Sequence, residues 1–235
     1  MDNPIERLIT DGPHFHAWPD GTPANWAVAP AILRYLADLI QPGMHTLETG
    51  AGQTTVAFAM GGAHHTCITP DEGQAARIRS YIRTLSIEDT VTFIHESSDI
   101  ALPRGDKIPE RLDIVLIDGA HRFPFPILDW YYTQARVPVG GIVVVDDFVM
   151  PSVRILHDFL SGEDEWELVK AFQVTSFFRR VKETTVEWDW ADQKINKPHL
   201  ERMAANAART EGTKAETTGF SGFLKRMLGK ESAGR

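Results

Sequence analysis

The chain has 235 residues, 43% of them hydrophobic, and a formal net charge of −8. Length and composition suit one sizeable folded domain with a short appendage and exclude a chain disordered throughout. The acidic balance argues against nonspecific nucleic-acid binding, which depends on Lys and Arg neutralising phosphates. The only cysteine, Cys67, lies in an apolar run and has no partner for an internal disulfide, as expected in a reducing compartment. The start, "MDNPIERLITDG", lacks the basic region and apolar core of a signal peptide, and no uncharged apolar stretch is long enough to span a bilayer. A soluble, cytoplasmic protein is expected.

In chain order, a helix pattern over "NWAVAPAILRYLADLI" (25–40) precedes the first strand candidate, "HTLETG" (45–50). Helix patterns follow at 54–61, at 72–85 with its Ala75, Ile78 and Ile82 stripe, at 125–136 and at 152–161. Between them run short β-branched segments: "HTCITP" (65–70), "VTFIHES" (91–97), "LDIVLIDG" (112–119) and "GIVVVDDF" (141–148). Near-continuous apolar strands separated by helices indicate a parallel sheet covered on both faces. The last two candidates, "WELVKAFQ" (166–173) and "TSFFRRVKE" (175–183), are separated by about one turn residue and should pair antiparallel. The expected fold is therefore α/β: a doubly wound, mostly parallel seven-stranded sheet ending in an antiparallel hairpin.

Three sections are expected along the chain. Residues 1–183 form the sheet domain with an N-terminal helical cap, and 184–218 are a polar helix and linker. Residues 219–235 form an amphipathic basic helix, with Phe220, Phe223, Leu224, Met227 and Leu228 on one face and Lys225, Arg226 and Lys230 between or after them. Such a stripe needs a cover: the domain itself, a second copy in a homo-oligomer, or an anionic membrane surface.

The first strand ends in "ETGAGQTT" (48–55), where an open α/β sheet binds its ligands. Gly50 and Gly52 are expected to allow positive φ and a close ligand approach, and the following helix N-terminus favours a carboxylate or phosphate. A dinucleotide fingerprint would place Gly or Ala where this chain has Thr55. Glu48 suits a ligand that carries an ammonium group. Over roughly residues 40–183 the sequence resembles the class I S-adenosylmethionine-dependent methyltransferases, whose first motif, acidic-x-Gly-x-Gly, is matched by Glu48, Gly50 and Gly52. The resemblance implies S-adenosylmethionine as cofactor, with Ala51, Thr54 and Thr55 completing its turn. The acid that holds the ribose in that family is replaced by Thr69, leaving Asp71 either as its substitute or as a helix cap. Ser98 and Asp99 occupy the family's adenine-binding place; a turn or cap is the other reading.

The fourth and fifth strand candidates end in "LIDGAH" (116–121) and "VVVDDF" (143–148). As neighbours in the sheet they should bring Asp118, Asp146 and Asp147 together, and mutual repulsion would raise their pKa values unless a cation compensates. Oxygen-only donors suit a hard divalent ion such as Mg²⁺; the alternative is that these aspartates only cap helices or end strands. His121, three residues beyond Asp118, is placed to accept a proton. This cluster looks like that of the metal-dependent O-methyltransferases acting on macrolide and aminocoumarin sugars, where an Asp-x-x-His segment and a later acidic pair supply the metal site and base. The implied activity is O-methylation of a small-molecule acceptor, a sugar or vicinal diol. A methyltransferase-fold binding protein and an NAD-dependent oxidoreductase are the rival readings. In "HFHAW" (14–18), His14 and His16 lie on one face of an extended segment, as part of a loop or lid; Trp26 either lines an entrance or anchors its helix, and Trp188 and Trp190 alternate with acids.

Overall fold

A computed structural model of the chain describes residues 4–183, 190–191 and 193–211. Helix α1 (Pro4–Asp11) opens the first unit, and α2 (Pro30–Leu39) leads into the sheet. Between them His16–Ala17 pairs antiparallel with Pro23–Ala24. The helix expected from residue 25 starts at Pro30 instead. A residue before proline avoids helical backbone, and Ala29 is extended at ψ 144°. Trp26 is thereby released from the helix expected to hold it, and is 56% exposed.

The main sheet contains β1 (His45–Thr49), β2 (His64–Ile68), β3 (Val91–Ile94), β4 (Ile114–Ile117), β5 (Ile142–Val145), β6 (Trp166–Ala171) and β7 (Ser176–Arg180). The spatial order is β3-β2-β1-β4-β5-β7-β6. The first five strands are mutually parallel, and β7 runs antiparallel to both β5 and β6. This is the expected doubly wound sheet with its terminal hairpin. Helices α3 (Gln53–Met60), α4 (Glu72–Thr84), α5 (Ser98–Arg104), α6 (Phe125–Thr133) and α7 (Pro151–Gly162) connect the strands.

Strand alternation sorts side chains to two faces. Leu47, Val115 and Val143 pack with Leu102 of α5, Trp130 of α6 and Leu156 of α7. The other face holds Cys67 with Val56 of α3 and Ile78 of α4, and Leu116 and Val144 with Leu36 of α2 and Phe58 of α3. Phe58, Phe177 and Phe178 are fully buried, each contributing about 1.5–3 kcal/mol relative to exposure. The strands are shorter than their apolar runs suggested: β4 stops before Asp118 and β5 before Asp146. The acids therefore sit in the loops just beyond the sheet edge.

The chain divides into two units, Met1–Glu183 and Thr184–Arg235. In the second, helix α8 (Lys197–Glu211) follows a single 3₁₀ turn whose Asn196 donates to the Trp190 carbonyl at 2.7 Å. Trp188 and the expected basic helix at 219–235 lie outside the described residues.

Candidate active site

The strand order reverses between β1 and β4, and a crevice of about 780 Å³ opens at their carboxyl ends. Gly50 makes this opening sterically feasible. Its φ is +93°, and a Cβ there would lie 2.1 Å from the Asp118 carbonyl oxygen. That atom is backbone and cannot swing aside, so β1 and β4 approach this closely only through glycine. Gly52 is different: its φ is 178°, which any residue adopts, and a Cβ would meet only His16 Nε2 at 3.4 Å. The expectation of positive φ holds for Gly50 alone.

Gly50 and Ala51 line the crevice, with Ile68, Pro70 and Gln74 beside them. Glu48 does not. As the residue alternate to Leu47 it points to the opposite face, beneath α3. There it is 1% exposed and accepts hydrogen bonds from the Thr54 hydroxyl at 2.8 Å and from the Thr55 hydroxyl. His65 Nε2 lies 3.1 Å from the same carboxylate. Glu48, Thr54 and Thr55 thus tie β1 to α3 and hold the turn from behind.

Asp71 caps α4, accepting from Gln74 N at 2.9 Å, and stands 3.6 Å from Arg77. It does not reach the crevice wall, so the cap reading is the one the structure supplies. Thr69 donates to Gln74 Oε1 at 3.1 Å. Gln74 was invisible in the sequence because no motif carries it; it enters the wall only because Asp71 starts α4 one turn earlier. His16 also lines the crevice, reaching it from the N-terminal ladder.

At the ends of β4 and β5, Asp118, His121, Asp146 and Asp147 share one wall. His121 lies between two acids: Nε2 is 3.4 Å from Asp118 Oδ1 and Nδ1 is 3.5 Å from Asp147 Oδ2. The Ser152 hydroxyl donates to the His121 carbonyl, and the Thr175 hydroxyl donates to Asp146 Oδ1. Burial pushes the Asp118 carboxyl up to about 7, with the Asp146 charge adding to the rise and His121 opposing it. Burial also raises Asp146, and the neighbouring Asp118 raises His121. Asp147 adopts φ 52°, a left-handed backbone costly for a residue with a Cβ. Strain of this kind is retained where the surroundings hold a side chain at a working position.

Ser98 lines the crevice from the start of α5, whereas Asp99 turns outward and accepts from the Ser97 hydroxyl. Behind Ser98 sits a residue the sequence did not reveal. Asp129 of α6 is 1% exposed and faces the Ser98 and Thr49 hydroxyls. Burial pushes it up to about 6 against the opposing pull of the Ser98 and Thr49 hydroxyls. The folded protein therefore binds more protons than the unfolded chain between the ordinary 3.8 and about 6, and stability falls as pH rises through that window. The shift corresponds to about 3 kcal/mol above the window. Asp129→Asn removes the charge, so its stability advantage over the parent should grow by about 1 kcal/mol between pH 5 and pH 7. Urea denaturation at the two pH values checks this; a constant difference would assign Asp129 another environment.

Residues 47–148 match a protein-family model described as a methyltransferase domain. The chain has the class I methyltransferase fold. No curated protein matches its sequence. Among solved structures, the O-methyltransferase from Bacillus cereus in complex with SAH superposes with a TM-score of 0.58 at 16% identity, covering 77% of this chain and 92% of that one. The O-methyltransferase TomG from Streptomyces achromogenes, involved in tomaymycin synthesis and bound to SAM, gives 0.56 at 19% identity, covering 77% and 91%. An rRNA methylase from Streptococcus thermophilus gives 0.51 at 12% identity, covering 65% and 95%. At such identities the likeness is one of fold, and one sheet that serves both O-methyltransferases and an rRNA methylase does not fix the substrate.

Proposed function

We propose that this protein is a methyltransferase that moves a methyl group from S-adenosylmethionine to a hydroxyl of a small molecule. The observation that carries this reading is the wall of Asp118, His121, Asp146 and Asp147 at the mouth of the switch-point crevice. The cofactor assignment is supported by the glycine turn and by neighbours of the same fold crystallised with SAH or SAM. S-adenosylmethionine supplies the sulfonium methyl group. Among the described residues no Lys or Arg lines the crevice, which favours a small acceptor such as a sugar or vicinal diol over a nucleic acid.

The donor set fits a hard divalent ion by chemistry and charge. Three carboxylates with only oxygen donors face one imidazole, and burial, with the charge of a neighbouring carboxylate adding to it, holds Asp118 and Asp146 above their ordinary range. Mg²⁺ would be held by Asp118, Asp146 and Asp147, and it would supply Lewis acidity that lowers the pKa of a bound hydroxyl. His121 accepts the hydroxyl proton, and Asp118 stabilises the imidazolium that results. The crevice walls hold both reactants at attack distance, which supplies much of the rate advantage.

A second reading drops the ion. Among the described residues, no group of three or more His, Cys, Asp or Glu is already gathered to hold a metal, and His121 occupies the space between Asp118 and Asp147. Transfer of a labelled methyl group from S-adenosylmethionine to a panel of catechols and sugars distinguishes the two. Activity that is lost in EDTA and restored by Mg²⁺ supports the metal; full activity in EDTA supports His121 acting alone. No transfer to any hydroxyl would contradict O-methylation.

Among the described residues, no helix is long and apolar enough to cross a membrane. A cytoplasmic location, and a homo-oligomer or membrane-surface contact through residues 219–235, remain proposals from the sequence.

A further inference from the structure

The crevice must accommodate a ligand with two opposite charges on its amino-acid end. Its ammonium group finds carboxylates in abundance, but its own carboxylate does not find a cation: the described lining contains three aspartates and no Lys or Arg. A neutral donor has to serve. One is fixed in place at the glycine turn.

Gln74 donates through Nε2 to the Ala51 carbonyl at 2.7 Å, a contact that identifies the nitrogen because a backbone carbonyl can only accept. The same nitrogen lies 2.9 Å from His16 Nδ1. Its second N–H is therefore directed at the ring, and Nδ1 is the acceptor. This network assigns the remaining ring proton to Nε2. That nitrogen stands over Gly52, where it would touch any Cβ at 3.4 Å. The ring is held from two further sides. His16 pairs with Ala24 in the N-terminal ladder, and the Trp26 ring packs 5.2 Å away and is itself braced edge-on by Trp18. Burial, with Arg77 nearby, lowers the His16 pKa, so the imidazole is neutral and keeps one N–H at physiological pH.

We propose that His16 is a cofactor-binding residue whose Nε2–H donates to the carboxylate of the methyl donor at the glycine turn. The proposal rests on the S-adenosylmethionine reading above. It gives the N-terminal segment a ligand-binding role in place of a covering one. A hydrogen bond to a charged group typically carries a ten-fold or larger affinity effect, about 1.5–3 kcal/mol.

The test uses two ligands that differ in one group: S-adenosylhomocysteine and its decarboxylated analogue, 5′-(3-aminopropylthio)adenosine. Isothermal titration of the full chain should show the parent preferring the carboxylate-bearing ligand. In His16→Ala that preference should shrink by about ten-fold or more, while affinity for the decarboxylated analogue changes by less than about two-fold. His16→Gln, which retains an N–H at comparable reach, should restore part of the preference, and it carries the test if the alanine variant does not fold. Equal weakening of both ligands would make His16 a strut holding the N-terminal segment, and an unchanged preference would remove it from the site; either overturns the proposal. If the parent binds neither ligand, the methyl-donor reading itself fails.

Discussion

Replacing both Asp146 and Asp147 with alanine is expected to reduce methyl transfer by about 10³-fold or more while leaving S-adenosylhomocysteine binding within a few-fold of the parent. The separation follows from position. Both acids lie past the end of β5, on the wall shared with His121, whereas the glycine turn lies past the end of β1. Folding should survive, because the change removes two carboxylates from a repelling cluster and relieves Asp118, whose rise to about 7 includes a contribution from Asp146. The costs are the Thr175–Asp146 hydrogen bond and a slightly poorer fit at φ 52°, where Asp is better tolerated than Ala. Single-turnover kinetics with a responsive acceptor, alongside titration of the product ligand, measure the two effects separately. Full turnover in the double variant would take the acids out of the reaction.

Gly50→Ala should be the most damaging single methyl addition in the domain. A Cβ placed 2.1 Å from a backbone oxygen forces β1 and β4 apart at the switch point, and φ +93° adds strain for any L side chain. The expected cost is at least about 3 kcal/mol of stability, with loss of ligand binding in whatever remains folded. Gly52→Ala is the control. Its φ of 178° carries no strain, and its nearest neighbour is the His16 ring at 3.4 Å. It should change stability by less than about 1 kcal/mol and act instead on the ligand. Equal stability of the two variants by urea denaturation would contradict the account of how the crevice is built.

The sheet was legible in the sequence because its five parallel strands are buried on both faces, which forces continuous apolar runs. Their ends were less legible: hydrophobicity continues past the last ladder bond, so β4 and β5 were read through to Gly119 and Phe148. The acid wall was also readable, since parallel neighbours must deliver Asp118, Asp146 and Asp147 to one edge. Glu48 shows what a motif match omits. Its place two residues before Gly50 fits the pattern, but strand alternation sends its side chain beneath α3, to Thr54, Thr55 and His65. Helix α5 escaped notice because it has only seven residues and contains Pro103. Gln74 and Asp129 escaped for another reason, and for the same reason His16 was read only as part of a loop or lid. Each reaches the site region through tertiary packing, and Gln74 meets a histidine 58 residues away in the chain, a distance over which periodicity and local motifs carry no information.

The proposed activity requires the switch-point crevice to be a methyl-donor site. Isothermal titration of the purified chain with S-adenosylhomocysteine decides this, with NADH as the competing ligand of the related dinucleotide-binding sheets. Saturable binding of S-adenosylhomocysteine at one site per chain, abolished by Gly50→Ala, and no binding of NADH are the expected results. Absence of S-adenosylhomocysteine binding to the folded parent, or NADH binding in its place, would contradict the proposed activity.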